Sequence, residues 1–553
     1  MSNVQSLKSL TDSSISNKRQ SISEKIKGRY SKELVISLGG PVGCNLSAVI
    51  NNLKKALKQV GYHIEYIKLS DLITKSFEEI RKKSPNKIPA DLKNIDISSS
   101  ENKSYNHYCN LMDIGNFFRE SYEKNVIAQY GVEEITHRRA NLASPTFEKL
   151  DIDPKDSKKR IYNGESITLL EFATELYTPE RTIYILDQLK NPDEVSLLRS
   201  IYGQIFYMIG VLGNSKERQR TLQNNMTSSE AETLIERDKS EDKDHGQQLE
   251  KTLQFADYFI MGTGVDNPHL EDNIKRLIDL IHGAKVITPT KDEYGMYIAY
   301  SASLKSACLS RQVGASISDE SGKIISTGCN DVPKYGGGLY ENDGIKGEKD
   351  FRCFNMPSPI CYNDRYKKAE IKDKIFKKIS KIEAIKDPEK LTEEIFSGTR
   401  IKDLIEFSRA IHAEMDAIIG LARRGGPSTR DSILYTTTFP CHNCARHIVA
   451  AGIKKVIFIQ PYEKSLATEL HSDAITTDIN AKEDKVKFIH FEGVAPKKYQ
   501  YFFEAHESRK DSSGKMISKE EYPALKVSNY LDDYRVIEVK VTAAFKQSGP
   551  ESS

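Results

Sequence analysis

The sequence predicts a two-part α/β protein, and three observations support this fold class. Residues 33–59 read as a buried-type strand, a glycine-rich turn and a helix. Short apolar strands at residues 62–71, 182–187 and 205–211 then alternate with helical segments, which is the pattern of a parallel sheet covered by helices. In the second half, two short strands joined by a glycine turn precede a helix, a strand and another helix.

Length and charge limit what these two parts can be. At 553 residues the chain is too long for one ordinary core, so we expect two or three domains. Its 81 Lys and Arg against 78 Asp and Glu give a formal charge of +3, so no global basic field would attract nucleic acid or a membrane. Eight scattered cysteines, no apolar run of about 18 residues and no apolar signal segment predict a cytoplasmic protein without a disulfide framework or membrane span.

The first domain is expected at residues 33–287, after a disordered tail at residues 1–32. The tail is rich in Ser, Lys, Asn and Gln, and it cannot bury enough apolar surface to offset its ordering entropy. The glycine-rich turn has the strand–turn–helix context of a phosphate-binding loop, in which backbone amides and the helix N-terminus face an anion together. The candidate nucleotide-binding residues are Gly39, Gly40, Gly43, Asn45 and Ser47.

A working phosphate-binding loop carries a lysine followed by Ser or Thr after its last glycine, and this chain has no such lysine. We therefore do not expect phosphoryl transfer, whereas nucleotide sensing remains open. In this arrangement of strands and turn, residues 33–287 resemble the P-loop kinase fold, most closely deoxynucleoside-monophosphate kinases. The resemblance implies a Walker-type carboxylate at Asp187 and a basic lid at Arg218 and Arg220. The alternative is that Asp187 caps a strand end and that the arginines form a solvated surface.

A second domain is expected at residues 288–510, with an insertion at residues 331–405 between its hairpin and its next helix. The insertion contains Cys353 and Cys361. Their spacing lacks the Cys-x-x-Cys form of common zinc sites, so they are either two half-buried thiols or part of a second metal site. Residues 511–553 are expected to form a C-terminal extension and tail.

The strongest chemical signal is His412-Ala413-Glu414 followed by Pro440-Cys441-His442-Asn443-Cys444. One histidine and two cysteines supply three ligands to zinc and leave its fourth position open, as in catalytic sites. Cys441 and Cys444 lie one turn apart at the start of a predicted helix, where the helix dipole favours thiolates. Glu414 lies elsewhere on the helix that His412 begins, so it is free to transfer protons. This pair of motifs is the signature of zinc nucleobase deaminases.

On these motifs, residues 290–500 resemble deoxycytidylate deaminases, which implies a cytidine deaminase-like α/β/α sandwich. The resemblance includes residues 308–315, residues 325–330 and residues 451–456. It implies that Asn330 holds the sugar and that Arg311 is a candidate phosphate contact; the alternative for Arg311 is a surface cation. The aromatic residue usual before the asparagine is here Cys329, and the glycine usual after it is Asp331.

The combination of a degenerate P-loop domain with this deaminase domain resembles the bacterial anti-phage dCTP/dCMP deaminases of the AvcD type. The resemblance implies zinc-dependent conversion of dCTP and dCMP to their uracil forms, depletion of dCTP during infection, a homo-oligomer, and an inhibitory small RNA partner. Two alternatives remain: a deaminase that acts on a base within RNA or single-stranded DNA, and a catalytically inactive nucleotide-sensing regulator.

Overall fold

The structure is a computed structural model. It describes residues 30–95, 104–149, 159–162, 165–168, 181–239, 246–262, 269–342, 349–462, 464–482, 484–505 and 508–517, together with residues 522, 525, 526, 538 and 542. Of the expected N-terminal tail, only residues 30–32 fall within these ranges. Most of the expected C-terminal extension likewise lies outside the described residues.

The described strands and helices are numbered along the chain. The strands are β1 (Tyr30–Ser31), β2 (Glu33–Gly39), β3 (His63–Lys68), β4 (Lys159–Tyr162), β5 (Glu165–Thr168), β6 (Thr182–Asp187), β7 (Phe206–Leu212), β8 (Tyr258–Met261), β9 (Gly314–Ser318), β10 (Ile324–Cys329), β11 (Ile433–Thr438), β12 (Lys455–Gln460), β13 (Ile475–Thr476), β14 (Val486–His490), β15 (Gly493–Val494) and β16 (Leu525–Lys526). The helices are α1 (Leu46–Gln59), α2 (Leu69–Lys83), α3 (Tyr105–Ser121), α4 (Val126–Lys149), α5 (Pro192–Tyr202), α6 (Ser215–Gln223), α7 (Ser228–Lys239), α8 (Leu249–Leu253), α9 (Leu270–His282), α10 (Lys291–Ser303), α11 (Tyr362–Asp364), α12 (Lys372–Ile379), α13 (Pro388–Gly398), α14 (Ala413–Arg423), α15 (His442–Ala450), α16 (Ala467–Leu470) and α17 (Tyr499–Phe503).

The first sheet has the strand order β15-β8-β7-β2-β6-β3. Its pairings are parallel except for β15, which runs antiparallel to β8. Strand β2 lies between β6 and β7, and all seven of its residues are buried. An apolar run without alternation suits a strand that is covered on both faces. The glycine-rich turn therefore leaves the sheet at its centre.

The second sheet has the strand order β10-β9-β11-β12-β14-β13. Strands β9 and β10 form the predicted antiparallel hairpin, and β11, β12, β14 and β13 run parallel to one another. The mixed α/β class with parallel sheets is thus confirmed. Strand ends agree closely with the predicted ones, although β3 ends at Lys68 and helix α2 begins where the predicted strand continued to Asp71.

Helices cover both faces of the second sheet, so this part of the chain has three layers. Alternate residues of β11 divide between the two sides: Leu434 packs in a core with Ala413 and Cys444, whereas Tyr435 packs in the core that contains Met296. Helix α10 therefore lies on one face, and α14 and α15 lie on the other. Helix α10 begins at a capping box in which the Thr290 and Glu293 side chains each bond the other's backbone amide.

The two sheets share structure across the predicted domain boundaries. One continuous hydrophobic core contains residues of the first sheet together with Met296, Tyr435 and Ile457. Strand β15 lies in the range expected for the second domain, yet it pairs with β8 and completes the first sheet. The C-terminal region also returns to the first part, because the buried Arg139 pairs with both Glu33 and Glu538.

The insertion after β10 carries several short helical segments. It contains α11, a π-helical segment (Arg365–Ile371), α12 and α13. A buried Arg352 pairs with Asp350 and lies 3.7 Å from the buried Asp331, so it holds the interior of the insertion against its first residue, just after the hairpin. None of the helices in the described ranges combines the length and apolarity needed to cross a membrane.

Candidate metal centre and active site

The three predicted metal ligands meet at the N-terminal ends of α14 and α15. His412 and Cys441 are the N-cap residues of these two helices. Nδ1 of His412 lies 3.3 Å from Sγ of Cys441 and 3.4 Å from Sγ of Cys444. Among the described residues, this is the only group of three His, Cys, Asp or Glu side chains whose ligand atoms all lie within 4.8 Å of one another.

The geometry of this group fits a zinc ion. Zn–N and Zn–S bonds of about 2.0–2.3 Å in a tetrahedral arrangement separate nitrogen from sulfur by about 3.6 Å. The two measured separations, 3.3 and 3.4 Å, are close to that value. Both cysteines are buried, with 3% and 1% of their surface exposed. Three protein ligands leave one tetrahedral position open, which is the arrangement of a catalytic site rather than a structural one.

Local electrostatics favour the ligating form of Cys441. The amide of Cys444 donates a hydrogen bond to Sγ of Cys441 at the start of α15. Side-chain hydrogen bonding with Cys444 and His412 lowers the pKa of the Cys441 thiol to about 4. The same contact with Cys441 raises the pKa of His412 to about 9. Cys441 is therefore held as a thiolate, which is the form that binds metals.

Glu414 lies beside the ligands without joining them. It is in the first turn of α14, with 4% of its surface exposed, and it is not one of the donors within the 4.8 Å group. Burial raises the pKa of Glu414 to about 7, and the neighbouring His412 partly offsets this rise. The Glu414 carboxyl group is thus a buried titratable group close to the three candidate ligands.

The position of α14 depends on a close approach of β10. A Cβ atom at Gly328 would lie 2.3 Å from the carbonyl oxygen of Ala413 and 2.4 Å from the amide nitrogen of Ala417. We expect Gly328→Ala to lower the free energy of unfolding by about 1–3 kcal/mol, because the added methyl group must push the helix away. Since His412 caps that helix, zinc content should fall as well. Urea unfolding and metal analysis measure the two effects.

Gly398→Ala is the matched control for this substitution. Gly398 ends α13, and a Cβ atom at this position would meet open space out to 4 Å. We expect a change in unfolding free energy of no more than about 0.5 kcal/mol and unaltered zinc content. Equal effects of the two substitutions would contradict the proposed role of the β10–α14 contact.

Asn330 is placed at the end of β10, as predicted, but its side chain already binds the backbone. Its Oδ1 accepts the amide of Val313 at 2.7 Å, and its Nδ2 donates to the carbonyl oxygen of Arg311 at 2.8 Å. One Nδ2 proton remains for a ligand. The Arg311 side chain is exposed, and its guanidinium carbon lies 5.6 Å from the ring centroid of Tyr462. Asn330 therefore fixes the loop that carries Arg311, and direct substrate contacts of both residues stay predictions.

Cys353 and Cys361 line one small pocket together with Cys308. All three thiols are free and partly exposed. They do not form a three-donor group within 4.8 Å among the residues that the structure describes. Burial raises the pKa of the Cys353 thiol, which disfavours the metal-binding thiolate. These observations favour the interpretation of Cys353 and Cys361 as half-buried thiols.

The predicted phosphate-binding loop is filled by the protein's own groups. The amide of Val42 donates to the carboxylate of Asp238 at 2.7 Å, and the amide of Asn45 donates to the carbonyl oxygen of Gly262 at 2.7 Å. Lys190 binds both Asp238 and the carbonyl oxygen of Gly40. The amide of Val42 is thus already bound by Asp238 and is not available to a phosphate. Nucleotide binding by Gly39, Gly40, Gly43, Asn45 and Ser47 stays a prediction.

The other residues predicted to be functional in the first domain differ in location and exposure. Asp187 lies at the end of β6 and accepts a hydrogen bond from Tyr66 at 2.5 Å. Arg220 is exposed, as expected for either a lid or a solvated surface. Arg218 is buried instead, and its Nε donates to the carbonyl oxygen of Val42 at 2.9 Å. The sequence pattern indicated neither the role of Asp238 nor the burial of Arg218, because neither contact is visible in local spacing.

Comparisons with known proteins concern the second half of the chain. Residues 289–460 match the family described as "Cytidine and deoxycytidylate deaminase zinc-binding region". The deoxycytidylate deaminase of Enterobacteria phage T2 is 31% identical over 170 residues, which cover 31% of this chain and 80% of that protein. For the deoxycytidylate deaminase of Enterobacteria phage T4 the identity is also 31% over 170 residues, covering 31% and 78%. A crystal structure of dCMP deaminase from the cyanophage S-TIM5 with dCMP and dUMP matches at 18% identity and a TM-score of 0.22, covering 37% of this chain and 99% of that chain.

Proposed function

The chain belongs to the deoxycytidylate deaminase family, and from this premise we propose that it is a zinc-dependent hydrolase that converts deoxycytidine nucleotides to deoxyuridine nucleotides and ammonia. One observation carries the proposal. His412, Cys441 and Cys444 bring their ligand atoms within 4.8 Å of one another, beside a buried Glu414. Three ligands with one open position and an adjacent proton carrier are the parts that hydrolytic deamination of a base requires.

In the proposed reaction, His412, Cys441 and Cys444 hold the zinc ion. When bound there, zinc supplies Lewis-acid activation of water. The Glu414 carboxylate accepts a proton from the water that attacks the amine-bearing ring carbon. Glu414 then returns protons to the ring nitrogen and to the departing amine, so that water and the cytosine base become ammonia and uracil. The burial of Glu414 keeps this proton transfer away from bulk solvent.

We propose that both dCMP and dCTP are substrates, and that their depletion defends the cell against phage. Support comes from the resemblance of the combined chain to AvcD-type deaminases. The same resemblance supports a cytoplasmic homo-oligomer restrained by a small RNA, and a division into a P-loop kinase-like domain at residues 33–287 and a deaminase domain at residues 288–510. The near-neutral formal charge of +3 favours free nucleotides over polynucleotide substrates.

A panel of substrates tests the proposed function. Purified protein is incubated with dCMP, dCTP, CMP, cytidine or a cytosine-containing single-stranded DNA, and the products are separated by liquid chromatography. We expect uracil products from dCMP and dCTP, and the CMP and cytidine reactions measure how far turnover depends on the sugar and on the phosphate.

The deamination assay has two informative negative results. Turnover of the DNA oligonucleotide in preference to dCMP and dCTP would favour a polynucleotide deaminase. No turnover of any substrate by protein that contains one zinc per chain would favour the inactive regulator. The reaction without protein is the chemical background.

A further inference from the structure

A buried ion pair joins the interior of the insertion to the residue that follows Asn330. Nη1 of Arg352 lies 3.7 Å from Oδ2 of Asp331, and the two side chains are only 8% and 2% exposed. The same guanidinium donates from Nε and Nη2 to the carboxylate of Asp350. Removal of one partner from a buried pair leaves a charge without compensation. The position of Asp331 therefore depends on Arg352.

The carboxylate of Asp331 also holds two backbone amides. Its Oδ2 accepts the amide of Ala307 at 2.9 Å, and its Oδ1 accepts the amide of Val332 at 2.8 Å. Ala307 belongs to the segment between α10 and β9. A glycine, which is usual after the asparagine in the deaminases that this chain resembles, could make none of these bonds. The side chain of Asp331 thus fixes its own backbone against a neighbouring segment of the chain.

The backbone of Asp331 is bonded in turn to the segment that presents His412. Its carbonyl oxygen accepts the amide of Ile411 at 3.0 Å, and the two residues form an isolated antiparallel bridge. Ile411 immediately precedes His412, which is the N-cap of α14. A displacement of the Asp331 backbone therefore displaces the residue next to a predicted metal ligand.

A second contact connects the same part of the insertion to this segment. Nη1 of Arg409, three residues before His412, donates to the carbonyl oxygen of Phe351 at 2.9 Å. Phe351 is the neighbour of Arg352 in the chain. This second contact is exposed, whereas the ion pair with Asp331 is buried. Because water weakens exposed interactions, we assign the larger effect to Arg352.

We propose that Arg352 is a positioning residue for the metal centre, and that it acts through Asp331 to hold His412 in place. A guanidinium has only hydrogen-bond donors, so Arg352 cannot itself be a metal ligand. The inference rests on the proposed function, because it concerns the same zinc site. It adds that the insertion is a working part of that site. Loss of the guanidinium should therefore weaken zinc binding while all three ligands remain in the chain.

Competition between the zinc-loaded full chain and a chromophoric zinc chelator tests the proposal. Arg352→Gln should lower zinc affinity about tenfold, the lower end of the about 10–100-fold typical for lost partners of metal ligands, because its effect passes through Asp331. Arg352→Lys keeps the positive charge and should bind zinc more tightly than Arg352→Gln. The visible spectrum of the cobalt(II)-loaded chain should also change in Arg352→Gln, since it reports the arrangement of the ligands.

Arg119→Gln is the matched control for loss of a buried ion pair. Arg119 pairs with Glu194 of α5 in the first part of the molecule, and these side chains are 2% and 0% exposed. Its substitution should also destabilise the protein in urea unfolding. Zinc affinity and the cobalt spectrum should nevertheless equal those of the parent chain. The control thus separates positioning of the metal centre from a general loss of stability.

A double-mutant cycle tests whether the effect passes through Asp331. Asp331→Asn keeps the shape of the side chain but removes the charge that Arg352 compensates, and it should lower zinc affinity about tenfold. Addition of Arg352→Gln to Asp331→Asn should change the affinity by less than about threefold further, because residues that act through one contact are not additive. Asp331→Asn is also the deciding variant if Arg352→Gln does not fold.

Three results would overturn the proposal. These are parent-like zinc affinity in Arg352→Gln or, where that variant does not fold, in Asp331→Asn; equal losses of zinc affinity in Arg352→Gln and Arg119→Gln; and fully additive effects in the double-mutant cycle. Zinc affinity is measured without turnover. A protein that binds zinc but deaminates nothing would therefore contradict only the proposed function, whereas an active protein with unaltered variants would contradict only the role of Arg352.

Discussion

Replacement of Glu414 by glutamine is expected to reduce dUMP formation from dCMP by about 10²–10⁴-fold, the range typical of a lost general acid–base. Glutamine has nearly the same shape as glutamate but cannot accept a proton. Because Glu414 is not among the three clustered donors, zinc content should remain one ion per chain. Steady-state rates and metal analysis of the same preparation measure both effects.

Glu320→Gln is the control for this substitution. Glu320 is an exposed residue in the β9–β10 turn, and its ion pair with Lys454 is on the surface. Surface pairs of this kind contribute little stability, so we expect an unaltered rate and zinc content. A Glu414→Gln variant that still forms dUMP at the parent rate would exclude Glu414 as the proton carrier. A variant that loses zinc would instead make Glu414 a determinant of metal binding.

Local patterns in the sequence predicted most of the fold. Strands β6 and β7 are within one residue of their predicted ends, because continuous apolar runs bounded by turn residues define buried strands. Strand β8 was missed, although its four residues follow the same rule at shorter length. The two-residue strands β13 and β15 could not be predicted, since a strand of that length carries no periodicity.

The meeting of His412, Cys441 and Cys444 was predictable because each half of the group is local. His412 and Glu414 lie in one turn at the start of α14, and Cys441 and Cys444 lie in one turn at the start of α15. The amide of Cys444 also donates a hydrogen bond to the side chain of Cys441. The spacing within each motif therefore fixes most of the geometry. The fold has only to bring two helix ends together, which the parallel arrangement of the second sheet does.

Contacts between distant parts of the chain were not predictable. Asp238 of α7 accepts a hydrogen bond from the amide of Val42, and nothing in the charged sequence of α7 indicates this contact. Arg218 and His490 line one cavity from two different sheets. Glu538 pairs with Arg139 inside the first part of the molecule. Each of these contacts depends on packing between elements, and no spacing in the sequence records it. The glycine-rich turn is an example: its strand–turn–helix context was predicted correctly, whereas the groups that bind its amides were not predicted.

Cys441→Ser should abolish stoichiometric zinc and, with it, dCMP deamination. Sγ of Cys441 lies 3.3 Å from Nδ1 of His412, and hydrogen bonding with Cys444 and His412 lowers the pKa of its thiol. A serine hydroxyl stays protonated near neutral pH and is a poor zinc ligand. Substitutions that only affect hydrogen bonds around a zinc site lower metal affinity about 10–100-fold, so the loss of zinc affinity on removal of a ligand should exceed about 100-fold.

Cys308→Ser is the matched control, because Cys308 is a partly exposed free thiol outside the three-donor group. It should retain one zinc per chain and the parent rate. Full zinc occupancy in Cys441→Ser, or equal losses in the two variants, would place the metal at a different group of residues.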